Sequence, residues 1–368
     1  MKVVFRVDAS ARMGTGHSMR CMALAEALQE RGAQTLFVCR EHEGNLIATL
    51  RRTAVPVTVL PAPSAPVGNE GKDYAAWLGV SQAEDAEHTI EALQGDKPNW
   101  LVVDHYGLDM EWEQCLRPHV GKLLAIDDLA NRHHDCDVLL NQNYSAESEH
   151  RYASLVPDSC KVLLGPGYAL LHKEFKVLRD RLGPRSGDLK RILVFFTAGD
   201  DQGETLKAMQ GIELYGKVER VDVVVSQSNP GNAEIAKRCN SLRWDCHCQI
   251  DYMAKLIAQA DIAIGASGSS NWERCALGVP ALVTILAENQ VPTAQALDRA
   301  GVVHNLGWAH DLKAADYASA LTRLNRDRLA TMAAQALQLV DAKGAERMAD
   351  VLLVAQSRVS EQSKRISC

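Results

Sequence analysis

Three short stretches of the chain place glycine and polar residues directly after an apolar run. The first is 8–17, DASARMGTGH, in which Gly14 and Gly16 lead to His17. Glycines permit a tight turn and close approach to a ligand, and a helix starting here would offer unpaired N–H groups and a positive dipole end. A neutral histidine at that position has the chemistry of a general base. The alternative is a plain strand-to-helix turn; a dinucleotide fingerprint is not expected, because its third glycine is replaced by Met19.

The second stretch is 265–273, GASGSSNWE. Its residues Gly268, Ser269 and Ser270 combine a flexible backbone with two hydroxyls, which suits a diphosphate at a helix start. Glu273 follows about one turn later, within reach of ribose hydroxyls. The alternative is a capping box formed by Ser270 and Glu273, which would not explain the glycines or Ser269. The stretch has no P-loop lysine, so hydrolysis at a γ-phosphate is not expected.

The third stretch is 287–290, AENQ, and it also follows an apolar run. The amides of Asn289 and Gln290 have the chemistry to hold a base or a sugar. An ordinary loop that caps the following helix would contain the same residues. This stretch alone therefore does not decide between a binding role and such a loop.

Alternating β-branched runs and helical patterns must position these stretches. The alternation predicts an α/β fold with two Rossmann-like parallel-sheet domains facing a cleft, where ligands bind at the carboxyl ends of the strands. The polar segment 181–190 is the predicted linker, and 61–71 is a predicted loop. The segment 316–357 is predicted to be a helical tail that packs on the second domain. In an alternative arrangement this tail reaches back to the first domain. Predicted strands cover 2–7, 35–39, 57–60, 100–104, 122–127, 138–141, 162–165, 191–196, 220–225, 261–264 and 281–284, and the first predicted helix covers 19–31.

Composition narrows the class of protein. The chain has 368 residues, 46% hydrophobic and 23% charged, with a net charge of -6. These values are typical of a globular protein and argue against a nucleic-acid partner. Charges interrupt every apolar run before membrane-spanning length, and the start reads as a strand rather than a signal peptide, so we expect a cytoplasmic protein with no membrane partner.

The ten cysteines have irregular spacings, which indicates reduced thiols rather than a disulfide framework. The densest group is Cys239, Cys246, His247 and Cys248. It lacks two CxxC-like pairs, so a structural zinc is the less favoured interpretation, and no metal is predicted.

Further motifs carry a family resemblance. Besides 6–10 (RVDAS), 14–28 (GTGHSMRCMALAEAL) and 265–290, the chain contains 104–109 (DHYGLD), 126–137 (IDDLANRHHDCD) and 139–144 (LLNQNY). Together they resemble the UDP-2,4-diacetamido-2,4,6-trideoxy-β-L-altropyranose hydrolases of pseudaminic acid biosynthesis, a pathway of flagellin glycosylation. That family releases UDP and the free diacetamido sugar, and its fold is similar to the GT-B glycosyltransferases.

The resemblance implies roles at matching positions. His17 would activate water for attack at the anomeric carbon, with inversion and without metal or other cofactor. The loop from Gly268 to Ser270 would hold the diphosphate and Glu273 the ribose. The remaining implied substrate contacts are Asp8, Arg12, Gly14, Gly16, Tyr106, Asn143, Ser269, Asn289 and Gln290. From the alternation and the linker, the predicted domains are 1–182, which contains His17, and 190–368, which contains the predicted UDP site. The predicted partners are the UDP-sugar and UDP, and the predicted state is a monomer.

Some positions depart from the family pattern and leave the sugar specificity open. The turn 196–200 is FTAGD instead of a Gly-Gly-Ser-Asp-like sequence, Ser267 replaces a loop glycine, and 172–173 is His-Lys instead of Arg-Pro. Asp127 and Asp128 are neighbours on a strand end and point opposite ways, so a structural or sugar-contacting role is favoured over a glycosidase pair. A glycosyltransferase with a UDP-sugar donor is the alternative enzyme, and a non-catalytic nucleotide-sugar binding module the alternative outside enzymes.

Overall fold

A computed structural model describes residues 1–10, 12–53, 55–63, 74–145, 150–183, 185, 189–197, 199 and 201–354. They form two compact units. Unit 1 comprises Met1–Asn143, Glu147–His172 and the C-terminal segment from Lys343, and unit 2 comprises Tyr144–Ala146 and Lys173–Ala342, each within the described residues.

This division differs from the predicted boundaries in two places. The main segment of unit 2 begins at Lys173, so the predicted linker 181–190 belongs to unit 2. Positions 184 and 186–188 of this linker lie outside the described residues. The helix over 344–354 belongs to unit 1, which is the alternative arrangement of the tail. Its Met348 and Leu352 are fully buried in the core of unit 1, and Trp100 Nε1 donates to the Leu352 carbonyl at 3.0 Å. Residues 355–357 of the predicted tail and 64–71 of the predicted loop are outside the described part.

Unit 1 is a parallel sheet with helices. The strands are β1 (Lys2–Val7), β2 (Gln34–Arg40), β3 (Val57–Leu60), β4 (Trp100–Asp104), β5 (Lys122–Ile126), β6 (Val138–Asn141) and β7 (Lys161–Leu164). Their order is β3-β2-β1-β4-β5-β6-β7, and all neighbours are parallel. The helices are α1 (Gly16–Gln29), α2 (Ile47–Arg52), α3 (Gln82–Ala92), α4 (Met110–Leu116) and the helix over 344–354.

The central strands of unit 1 are buried on both faces, which explains their continuous apolar sequence. Successive side chains of a strand point to opposite faces. Accordingly, Phe5 and Val102 lie in one apolar cluster with α1 residues, while Val4 and Leu101 lie in a second cluster with Trp112 of α4. The sheet thus separates two cores and holds the ends of β1 and β4 side by side.

Unit 2 repeats this architecture. The strands are β8 (Arg191–Val194), β9 (Arg220–Val225), β10 (Asp245–Cys248), β11 (Ile262–Ala266), β12 (Ala281–Ile285) and β13 (Val303–Trp308). Their order is β10-β9-β8-β11-β12-β13, all parallel. The helices are α5 (Lys173–Arg179), α6 (Glu204–Tyr215), α7 (Asn232–Leu242), α8 (Met253–Gln259), α9 (Ser270–Ala276), α10 (Val291–Arg299), α11 (Ala314–Arg323) and α12 (Arg326–Leu339).

The two sheets confirm the predicted α/β class with two Rossmann-like domains. In each sheet the strand order reverses once, between β1 and β4 in unit 1 and between β8 and β11 in unit 2. Open α/β sheets bind ligands beyond the carboxyl ends of the strands at such a reversal. In unit 1 that point is where Val7 pairs with Asp104, and in unit 2 it is where Val194 pairs with Ile264. Over the described part of the chain, no helix has both the length and the apolar character needed to cross a membrane.

Candidate active site

A histidine and an aspartate meet at the strand-order reversal of unit 1. The helix α1 begins at Gly16, two residues after Gly14 makes the turn at φ 73° and closes a bridge with Ser10. This places His17 beside the end of β4, where its Nδ1 lies 2.6 Å from Oδ1 of Asp104. The Asp104 side chain is fully buried, whereas 12% of the His17 side chain is exposed. The imidazole is therefore held at its inner nitrogen and retains access to solvent.

The environment of Asp104 fixes its charge. Burial alone would raise the pKa of the Asp104 carboxyl, but Arg20 and His17 hold that pKa well below its usual range. Arg20 donates from Nε to Oδ2 at 2.6 Å and from Nη2 to Oδ1 at 2.7 Å. An ionised carboxylate only accepts hydrogen bonds, so Nδ1 of His17 carries the proton. The lone pair on Nε2 is then available to accept a proton from a substrate or a water molecule.

A second carboxylate, Asp128, lies on the other side of Arg20. Its Oδ2 is 2.9 Å from Nη2 of Arg20 and accepts a hydrogen bond from the Tyr106 hydroxyl at 2.7 Å. Its Oδ1 accepts from Nδ2 of Asn143 at 2.9 Å. The Tyr106 ring also meets the His17 ring edge to face, with centroids 4.5 Å apart. Three of the predicted site residues, His17, Tyr106 and Asn143, are thus brought together through one hydrogen-bonded network.

Asp127 faces a different environment from its neighbour Asp128. Its carboxylate accepts from Arg132 at 2.6 Å, from the Tyr152 hydroxyl at 2.9 Å and from the backbone N–H of Ala130 at 2.7 Å. Asp127 is fully buried, and Arg132 and the neighbouring groups keep its pKa low against the effect of burial. Asp127 therefore fixes the loop after β5, and the two aspartates do not form a facing pair.

Asp8 lies in a buried ion network rather than beside His17. Its two carboxylate oxygens accept from Arg6 at 2.7 and 2.8 Å, and Oδ1 also accepts from the backbone N–H of Arg40 at 2.7 Å. Asp85 joins the network through both arginines. Asp8 is 1% exposed, so these partners account for its carboxylate without a substrate. Of the other predicted residues in this loop, Arg12 is half-buried and Gly16 opens α1.

The loop after β11 lies at the corresponding point of unit 2. Gly265, near the end of β11, and Gly268, in the loop, differ in how much space surrounds them. A Cβ atom on Gly265 would lie 2.0 Å from the Phe195 carbonyl oxygen, so close packing of backbones demands a glycine there. A Cβ on Gly268 would meet nothing within 4 Å. Packing within the fold therefore explains Gly265 and does not explain Gly268.

The N-cap of α9 is Ser269 rather than Ser270, so the start of the helix does not coincide with a Ser270–Glu273 capping box. The helix α9 begins at Ser270, and the residue before it, Ser269, makes no side-chain capping bond among the described residues. Ser269 is exposed, Ser270 is at the edge of burial, and Glu273 is half-buried in the first turn of α9. Helix capping thus leaves the Ser269 hydroxyl without a structural explanation.

A buried arginine supports this loop, and the sequence reasoning missed it. Arg274 donates to the Ala266 carbonyl at 2.9 Å and to Oδ1 of Asn271 at 2.5 Å, and Nδ2 of Asn271 donates to the Ser267 hydroxyl at 3.0 Å. Burial lowers the pKa of the Arg274 guanidinium to about 10. The signal in the sequence was an Asn-x-x-Arg spacing in α9, which places both side chains on one helix face.

The third predicted stretch lies next to the second. β11 and β12 are parallel neighbours, and the backbone N–H of Ser267 donates to the Thr284 carbonyl at 3.2 Å. Asn289 has a half-buried side chain and lies in the 3-10 turn Glu288–Gln290. Oε1 of Gln290 accepts from the Leu286 N–H at 3.0 Å, so this side chain shapes its own loop.

The cysteine cluster gives no metal centre in the part of the chain that is described, since no three His, Cys, Asp or Glu side chains gather to hold an ion there. Both ring nitrogens of His247 have partners: Nε2 is 3.0 Å from Oδ1 of Asp222, and Nδ1 is 3.1 Å from the Tyr252 hydroxyl. Cys246 and Cys248 point to the exposed side of β10.

A UDP-sugar hydrolase is among the proteins that are similar in sequence to this chain. The chain matches no protein-family model. It is 28% identical, over 304 residues, to the UDP-2,4-diacetamido-2,4,6-trideoxy-β-L-altropyranose hydrolase of Campylobacter jejuni. The aligned region covers 82% of this chain and 97% of the relative.

Solved structures share the whole fold at low identity. Acinetobacter baumannii MurG matches with a TM-score of 0.64 and 16% identity, over 96% of this chain and 99% of MurG. Phytolacca americana UGT2, complexed with UDP-2fluoro-glucose and pterostilbene, matches with a TM-score of 0.70 and 13% identity, over 97% and 99%. The chain therefore has the GT-B fold of these proteins and is similar in sequence to the Campylobacter hydrolase.

Proposed function

We propose that this chain, a GT-B protein similar to the Campylobacter hydrolase, is an enzyme that acts on a UDP-sugar. Its specific reaction is the hydrolysis of UDP-2,4-diacetamido-2,4,6-trideoxy-β-L-altropyranose to UDP and the free diacetamido sugar. The observation that carries the proposal is the 2.6 Å contact of His17 Nδ1 with buried, ionised Asp104 at the strand-order reversal of unit 1. That arrangement leaves Nε2 of a partly exposed histidine as a base.

The reaction is a single displacement. Nε2 of His17 takes a proton from a water molecule while the water oxygen forms a bond to the anomeric carbon. The bond between that carbon and the β-phosphate oxygen breaks on the opposite face, and UDP leaves with the electron pair, so the configuration inverts. Asp104 stabilises the imidazolium that forms, as the acid of a Ser-His-Asp triad does.

The proposal assigns substrate-binding residues within each unit. Gly268, Ser269 and Ser270 hold the diphosphate through backbone N–H groups and hydroxyls, and the open space at Gly268 supports this role. Glu273 accepts from the ribose, and Asn289 meets the sugar or the diphosphate, with Gln290 shaping that loop. On unit 1, the sugar contacts are Arg12, Tyr106 and Asn143, with Gly14 and Gly16 giving the backbone room.

The proposal involves no metal. UDP is already a good leaving group, and backbone donors aimed at the departing phosphate stabilise its charge without reorganisation. One histidine that positions and deprotonates one water molecule is then sufficient for the chemistry.

The deciding experiment follows UDP release from the UDP-diacetamido sugar with and without a chelator. Wild-type protein should release UDP equally in both conditions, and His17→Leu should lose at least a thousandfold in kcat while it still binds UDP. The matched control is His119→Leu, because His119 is exposed at the amino end of β5. Absence of release by the wild type, release that needs added metal, or a fully active His17→Leu would each contradict the proposal.

Oxygen labelling tests which bond breaks, and the dependence of UDP release on an acceptor separates hydrolysis from the alternatives. In water enriched in oxygen-18, hydrolysis at the anomeric carbon puts the label into the free sugar and not into UDP. A glycosyltransferase would instead release UDP only with an acceptor, and a binding module would bind UDP without any turnover.

A further inference from the structure

Three aromatic side chains form a cluster beside His17, and the proposed function uses only one of them, Tyr106. We call Tyr74, Trp77 and Tyr106 the aromatic cluster. The Trp77 ring stacks on the Tyr106 ring with centroids 5.7 Å apart and planes at 27°. Tyr74 meets both edge to face, at 4.9 Å from Trp77 and 5.1 Å from Tyr106. The cluster is continuous with the site, since Tyr106 lies 4.5 Å from the His17 ring.

Tyr106 is the enclosed member of the cluster. Its hydroxyl donates to Asp128, and the guanidinium of Arg132 lies 6.0 Å from its ring centroid. Only 7% of Tyr106 is exposed, whereas Tyr74 and Trp77 are half-buried. The accessible surface of the cluster is therefore made by Tyr74 and Trp77.

The backbone holds these two rings in place. Tyr74 directly precedes the 3-10 turn Ala75–Leu78 and Trp77 lies within it. The turn is anchored by fully buried Leu78 in one core of unit 1. Gly107, directly after Tyr106, approaches so closely that an added Cβ would lie 3.0 Å from the Tyr74 carbonyl oxygen. The segment carrying Tyr74 and Trp77 is thus packed against the loop after β4, which carries the Tyr106 side chain and directly follows Asp104.

We propose that Tyr74 and Trp77 form a sugar subsite that selects a hexose with apolar substituents. This inference rests on the proposed function and names the part of the substrate that unit 1 reads. The face of an aromatic ring is electronegative and attracts polarised C–H groups, such as those on one face of a pyranose. A 6-methyl group and the methyl of an acetamido group add apolar area that the rings remove from water.

The same surface disfavours a hexose with free hydroxyls. A 6-hydroxymethyl group placed against the indole would give up hydrogen bonds to water, and the ring face offers weak replacements. The expected ligand class is therefore a nucleotide-linked 6-deoxy sugar with acetamido substituents, in preference to UDP-N-acetylglucosamine.

The test compares kcat/KM for two substrates in three proteins. The substrates are the UDP-diacetamido-trideoxy sugar and UDP-N-acetylglucosamine, and the variants are Trp77→Leu and Trp244→Leu. Trp244 is the matched control, because it is also half-buried but precedes β10 in unit 2, at the amino end of that strand. Trp77→Leu should lower the preference for the deoxy sugar about tenfold, in the range that one or two methyl groups give in an apolar pocket. Trp244→Leu should leave the preference unchanged.

A second measurement keeps the subsite testable if the wild type has no activity. The indole N–H signals of nitrogen-15-labelled protein are recorded while the free diacetamido sugar is added, with Trp77→Leu assigning the signal. A shift of the Trp77 signal without turnover supports the subsite and contradicts the proposed reaction. Turnover with an unchanged preference in Trp77→Leu, or no shift of the Trp77 signal at saturating sugar, overturns the subsite.

Discussion

The Nδ1 atom of His17 lies 2.6 Å from Oδ1 of Asp104, although 87 positions separate the two residues in the chain. The contact exists because β1 and β4 are neighbours in the sheet, so the helix that follows β1 begins beside the end of β4. Arg20, one turn further along α1, holds the same carboxylate in its ionised form. Local turn geometry, sheet order and charge together determine which nitrogen of His17 carries a proton.

Replacing Asp104 by Asn should remove the base while leaving UDP binding intact. The amide would present an N–H to Nδ1, so the proton moves to Nε2 and the lone pair is lost. A similar change in a Ser-His-Asp triad lowers kcat by about 10⁴, and we expect a loss of 10³ to 10⁴ here. The measurement is kcat for UDP release, together with Kd for UDP by calorimetry.

A double variant distinguishes positioning from a general loss of structure. If Asp104 acts through His17, Asp104→Asn should have almost no further effect on kcat in a His17→Leu background. Independent multiplication of the two effects would show that Asp104 does not act through His17.

Much of the fold could be predicted because its strands have strong patterns. The β-branched runs at Lys2–Val7, Val57–Leu60 and Arg220–Val225 match the observed strands residue for residue. The strands β10 and β13 were not predicted, since their sequences DCHC and VHNLGW lack such a run. Both are sheet edges, where one side is unpaired and the demand for apolar side chains is lower.

The candidate site was predictable only in part. His17 and the loop 268–270 follow strands and start helices, which is a local signal. Asp104 is also the last residue of a strand. Its contact with His17 depends on the order of strands in the sheet, which no local sequence pattern predicts. Asp8 has the same position after a strand, and its burial depends on Arg6, a charged residue within β1 from which no ion pair was predicted.

Gly268 and Gly265 should respond oppositely to alanine. Gly268→Ala should leave the free energy of unfolding within about 0.5 kcal/mol of the wild type, because the added methyl meets no atom of the fold. It should weaken UDP binding about tenfold by occupying space that the diphosphate needs. Gly265→Ala is the contrasting control and should destabilise the protein by more than about 2 kcal/mol, since its Cβ would overlap the Phe195 carbonyl. Urea denaturation and calorimetry give both quantities, and unchanged UDP affinity in Gly268→Ala would remove this loop from the diphosphate site.

Asp8 should prove structural. Asp8→Asn leaves the fully buried Arg6 with one carboxylate instead of two, which should lower the free energy of unfolding by about 3 kcal/mol. Below the unfolding temperature of the variant, KM for the UDP-sugar should change less than threefold. A variant with wild-type stability and a strongly raised KM would instead support the contact between Asp8 and the sugar that the family resemblance implies.

His105 should make the protein less stable in mild acid. Burial is the main reason that the pKa of His105 falls from 6.5 to about 3, and Nδ1 also accepts the Gly107 N–H at 2.9 Å, so protonation there would break a hydrogen bond. Because the unfolded chain takes up this proton near its ordinary pKa and the folded chain does not, stability is complete above pH 6.5 and declines as the pH falls toward 3. From pH 7.5 to 5.5 the decline from this group is about 1.4 kcal/mol. His105→Asn keeps an acceptor for Gly107 but does not titrate, so the pH dependence of its urea midpoint should be flatter by that amount. Equal slopes for the two proteins would show that His105 is protonated in the folded state as readily as in the unfolded one.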